Sequence, residues 1–80
     1  MDDEDRELAQ RLFAAATAML EDAIETAVAG QSPRLHTSRL AAHGRRLQAA
    51  AHDIAIIAEA ATIVSDRAVN HASDRRKDRP

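Results

Sequence analysis

Cysteine is absent from this chain, so no disulfide can brace it and no thiol can serve as a nucleophile. Aromatic rings are almost missing too. Phe13 is the only one apart from four histidines, which removes the stacking platforms that many nucleic-acid binders use. Uninterrupted apolar runs are a few residues long, well short of a membrane span by that measure, so no membrane partner is expected. The opening Met1-Asp2-Asp3-Glu4-Asp5 is acidic, the opposite of a secretory or mitochondrial leader, and the expected location is the cytoplasm. Neither sign of charge dominates: the net charge of −2 suits a soluble chain and not a generic polyanion binder. What is abundant is alanine, with aliphatic side chains spread among it. Arginine outnumbers lysine ten to one, a bias that suits a GC-rich, bacterial genome.

Eighty residues make one domain at most. Glycine and proline number two each, and their positions organise the chain. Gly30-Gln31-Ser32-Pro33 is the one strong breaker cluster. Gly30 suits the left-handed position after a helix end, Ser32 an N-cap, and Pro33 the first helical position, where its missing N–H costs nothing. Thr37-Ser38 offers a second N-cap one turn later. The first helix is expected to begin within Asp3–Asp5, where the acids complement the helix dipole, and to end at Ala29. Its apolar stripe, Leu8, Leu12, Ala15, Ala16, Met19, Ala23 and Ala27, is widened by Phe13, Leu20, Ile24 and Val28. That is more than one neighbouring helix can cover.

The second helix carries a heptad seam. Leu40, Leu47, Ile54, Ala61 and Ala68 recur every seven residues, and His43, Ala50, Ile57, Val64 and His71 follow three positions on. Ile56, Ile63 and Val69 lie beside it, and Ala51, Ala55 and Ala58 would allow a close helix crossing. The expected fold is therefore all-α. One hairpin domain occupies residues 1–72, with helices near 4–29 and 33–72, a turn at 30–33, and a polar, disordered tail at 73–80. A tight turn would pair residue i with about residue 63 − i, leaving Ile63, Val64, Ala68 and Val69 on an overhang that the same chain cannot cover. The core is expected at Leu8, Leu12, Met19, Ala23, Leu40, Leu47, Ile54, Ile57 and Val64. A small core without disulfides needs help from association, so the hairpin is expected to form a homodimeric four-helix bundle or a larger homo-oligomer. The interface would comprise Leu40, Leu47, Ile54, Ile57, Ile63, Val64 and Val69.

Charge is segregated. Residues 1–25 hold eight acids against Arg6 and Arg11, whereas residues 26–52 hold Arg34, Arg39, Arg45 and Arg46 and no acid. In the expected register Glu25 falls opposite Arg39 and Arg11 opposite Asp53, while Arg45 and Arg46 are left for acids on another subunit. Catalytic chemistry finds little footing. His36 and His43 share a face but stand about 10 Å apart along the axis, too far for one zinc ion, and the Glu-x-x-His motif of bundle metal sites is missing. No metal or other cofactor is expected. His36, His43 and His52 could be weighed as phosphoacceptors, but no recognisable motif surrounds them, and Glu21, Asp22 and Glu25 read as a solvated face. His43 and His71 fall on the seam, as a polar layer bonded across it that sets register or as a pH-sensitive one. The expected function is a non-catalytic oligomerisation or protein-interaction module, with a protein partner possible. The alternative is a small nucleic-acid-binding regulator that uses Arg39, Arg45 and Arg46 from both copies of a dimer.

Overall fold

The computed structural model describes residues 3–77, with side chains from Glu4 to His71. It is an all-α hairpin of two helices, α1 (Asp3–Ala29) and α2 (Thr37–Lys77), packed along their length. The Cα trace measures 68 × 14 × 14 Å, the shape of two rods side by side. The sequence makes these helices long for a simple reason: alanine and unbranched residues dominate, and glycine or proline occurs only at Gly30, Pro33 and Gly44 within the described part.

The turn departs from expectation in an instructive way. Gly30 does not adopt a positive φ. The helix instead tightens as it ends: Gly30 N–H donates to Thr26 O at 3.0 Å, Gln31 N–H to Val28 O at 3.0 Å, and Ser32 N–H to Ala29 O at 3.3 Å. The first is the ordinary i→i−4 bond, and the two i→i−3 bonds that follow are the alternative to a left-handed cap. Leu35 N–H then donates to Ser32 O at 3.3 Å, and Arg34 N–H reaches Ser32 Oγ at 3.4 Å. Pro33 thus occupies the second position of a β-turn and does not open a helix. Both roles need the same fixed φ of roughly −65°, which is why the residue alone does not separate them. The helix starts about one turn later, at Thr37, and the capping position is His36, whose O accepts Leu40 N–H at 2.9 Å, not Thr37 or Ser38.

That later start changes the register. The chain runs on past the end of α1 before reversing, so the first turns of α2 flank the linker. Gly30 lies beside His43, and Asp5 meets Arg67 and His71. Residue i of α1 is therefore level with about residue 73 − i of α2, and not 63 − i. The expected overhang shrinks accordingly: Val64 and Ala68 lie against the first turns of α1, and only the segment beyond about Asn70 extends past it. α2 also continues helical through Lys77, five residues beyond its expected end, so of the tail expected to be disordered only residues 78–80 lie outside the described part.

The α1 side of the seam is Asp5, Ala9, Leu12, Ala16, Met19, Ala23, Thr26 and Gly30, spaced alternately four and three. Small residues fill it. Ala9, Ala61 and Val64 are 7%, 2% and 6% exposed and are the only buried apolar side chains among the described residues. They form one cluster near the open end of the hairpin, Ala9 level with Val64 and Leu12 with Ala61. Leu12, Met19, Ala23, Ile54 and Ile57 are half-buried. Leu8, Leu40 and Leu47, expected in the core, remain exposed. Leu8 sits one position off the line that faces α2, while Leu40 and Leu47 meet only the linker and the last turns of α1.

Candidate interaction surface

Of the seven residues assigned to an interface, Ile54, Ile57 and Val64 are covered within the chain, half-buried or buried, whereas Leu40 and Leu47 stay exposed beside the linker. Ile63 and Val69 stay outside the seam and are exposed. The whole set of large, exposed apolar side chains is Leu8, Phe13, Leu20, Ile24, Val28, Leu40, Leu47, Ile56, Ile63 and Val69, with exposures from 38% to 62%. For a chain this small, that is a large uncovered apolar inventory.

The seam divides the hairpin into two flanks of different character. On one flank a cleft is lined by Asp22, Glu25, Ala29 and Arg46, with Thr26 and His43 at its floor. Helical spacing extends this flank through Arg11, Arg39, Asp53 and Arg67. On the other flank a shallow cleft of about 370 Å³ is lined by Ala27, Gly30, Gln31, Leu40, Gly44 and Leu47, again sharing Thr26 and His43. This second flank continues as Phe13, Thr17, Leu20 and Ile24 on α1. On α2 it continues as Gly44, Ala51, Ala55, Ala58, Thr62 and Val69. From Gln10 to Gln31 and from Ala41 to Val69 its positions hold no ionisable side chain. Ala51, Ala55 and Ala58 are exposed there, so the close crossing they permit is not used by α1. This uncharged flank was legible as a second alternating three–four series beside the first seam. The larger residues of the first seam dominate the pattern and mask it.

The hydroxyls on this flank make few demands on water. Thr17 Oγ1 donates to Phe13 O at 3.0 Å and Thr62 Oγ1 to Ala58 O at 2.9 Å. Each threonine hydroxyl is therefore already satisfied within its helix, and covering it would leave no orphaned donor.

No match was found among protein-family models, curated proteins or solved structures. The reading of the surface therefore rests on its own chemistry.

The ion pairs differ from those expected. Among the described residues the pairs are Arg67 Nη2–Asp5 Oδ1 at 3.6 Å and His71 Nε2–Asp5 Oδ2 at 3.8 Å. Glu25 is level with Gln48 and Arg11 with Thr62, so neither expected pair, Glu25–Arg39 or Arg11–Asp53, forms. Arg46, expected to seek acids on another subunit, shares its cleft with Asp22 and Glu25 of its own chain. Arg39 and Arg45 are exposed. His43 does not bond across the seam: its Nδ1–H donates to Arg39 O of the same helix at 2.8 Å. Among the described residues no three His, Asp or Glu side chains converge as a metal site.

A stretch of α2 within Thr37–His71 reaches a mean hydropathy of 1.3 over eighteen residues, enough by length and composition to cross a membrane, and it is only 11% buried. Short apolar runs had concealed this because alanine and isoleucine are interleaved with polar residues. His52, Asp53 and Glu59 occupy the middle of the segment, and an acid there costs about 2.5–3.5 kcal/mol in a bilayer. Interhelix burial, which lets those acids reach water, accommodates the same composition at no such cost.

Proposed function

We propose that this chain is a non-catalytic self-association module, working in the cytoplasm as a homo-oligomer that can present its helices to a further protein. One observation carries the reading: the hairpin's own core buries Ala9, Ala61 and Val64, while ten large apolar side chains stay exposed. The surface left open is this flank and not an overhang of α2. Apolar surface contributes roughly 25 cal/mol per Å² when removed from water, and two helices that enclose so little need a further layer to be stable.

Sedimentation equilibrium from micromolar to nanomolar concentration, followed in parallel by circular dichroism, tests the reading. Mass and helicity should fall together on dilution. A fully helical monomer at nanomolar concentration would defeat it.

The nucleic-acid alternative draws on exposed Arg39 and Arg45. It has less behind it, since Arg46 stands beside Asp22 and Glu25, which offset its field. Salt-dependent anisotropy with RNA and DNA, repeated on Arg39→Ala and Arg45→Ala, distinguishes the two readings.

A further inference from the structure

We propose that a second copy of the chain covers the uncharged flank, with the two hairpin turns at the same end of the assembly. The inference rests on the self-association reading and adds the face, the orientation and the register.

Relief argues for a second copy. Within one flank α1 offers a ridge of large side chains, Phe13, Leu20 and Ile24, and α2 offers a shallow trough of Gly44, Ala51, Ala55 and Ala58. Ridge and trough lie side by side on the same face, which is what a self-complementary, two-fold surface requires. Rotation about an axis parallel to the helices lays α1 of one copy over α2 of the other at equal height. Because residue i is level with residue 73 − i, Phe13 of the second copy then arrives level with position 60, between Ala58 and Thr62. Leu20 arrives level with position 53, between Ala51 and Ala55. Phe13 and Leu20 thus each meet a gap between small side chains.

The opposite orientation, with turns at the two ends, lays ridge on ridge and trough on trough. Helix pairs pack 8–10 Å apart depending on the side chains between them. One rigid hairpin pair would then need a wide spacing for its α1 helices and a narrow one for its α2 helices at once. The same-end arrangement gives all contacts one spacing.

Area and charge agree. The flank follows α1 for about 40 Å and is two helices wide, which gives roughly 800 Å² per copy, the size of a standard stable interface. No like charges are brought together along it, and Thr17 and Thr62 keep their own hydrogen bonds when covered. The other flank also exposes Leu8, Ile56 and Ile63, but there Arg11, Asp53 and Arg67 interrupt them.

The test uses the full chain. Ala55→Glu places a carboxylate in the trough with only a small loss of helix propensity, and Ala49→Glu carries the same loss on the charged flank. Association measured by sedimentation should weaken on the order of 100-fold for the first and change little for the second. A nitroxide on Ser32→Cys, in a chain with no other cysteine, reports orientation independently of any loss of stability. The distance between the two labels should be well under half of the 68 Å length. A dimer indifferent to Ala55→Glu, one broken by Ala49→Glu instead, or labels at opposite ends would overturn the inference while leaving self-association standing. A chain that stays monomeric and floats with phosphatidylcholine vesicles would overturn both.

Discussion

His43 illustrates how a seam residue can be satisfied without serving the seam. Its Nδ1–H is held by the Arg39 carbonyl of its own helix, so the ring occupies a half-buried position and contributes no bond to α1. His43→Leu should therefore stabilise the hairpin by about 1 kcal/mol through added apolar burial, read as a higher denaturant midpoint at fixed protein concentration. A lower midpoint would mean the imidazole has a partner outside its helix. Asp5 behaves differently. Only 26% exposed, it faces the Arg67 guanidinium at 3.6 Å and the His71 imidazole at 3.8 Å. Those partners are largely solvated, so Asp5→Asn should cost less than about 1 kcal/mol. The loss should shrink further in molar salt, where the screening length falls to about 3 Å.

The helices and their connection invite a second kind of test. Gly30 carries no positive φ, and a Cβ there would meet its nearest neighbour, Ala27 O, at 3.5 Å, an ordinary contact. Gly30→Ala should accordingly stabilise by roughly 0.4–1 kcal/mol by reducing unfolded-chain freedom, where a left-handed cap would have made it destabilising. Gly44 lies inside α2 with nothing within 4 Å of its added Cβ, and Gly44→Ala should raise helix stability by about 1 kcal/mol. Thermal unfolding of both variants, at one concentration, checks the pair. The seven residues between α1 and α2 matter more than either glycine, because they carry the chain beyond α1 and move the pairing by ten positions.

At the scale of the whole molecule, the two flanks make opposite forecasts about salt. Association through the uncharged flank should be unchanged or slightly strengthened between low salt and molar sodium sulfate, since exclusion of kosmotropic salt favours apolar burial. Association through the flank of Arg11, Arg46, Asp53 and Arg67 would weaken as its ion pairs were screened. The melting temperature should also rise with protein concentration, as mass action requires when folding is linked to assembly.

Two helices, the end of the first at Ala29 and the three–four seam of α2 were all legible in the amino-acid order, because alanine-rich amphipathic segments and a Gly-Pro interruption act locally. The chain also announced its excess of apolar surface. Which stripe of α1 meets α2 was not legible: Leu8 and Ala9 are adjacent, either can anchor a stripe at helical spacing, and the choice of Ala9 came from close packing against Val64. Register was equally hidden. Pro33 fits a helix start and a turn equally well, and only the completed turn decides how far the chain travels before reversing. That distance settled whether Val64 lies covered beneath α1 or hangs past its end, and with it which apolar side chains the hairpin leaves uncovered.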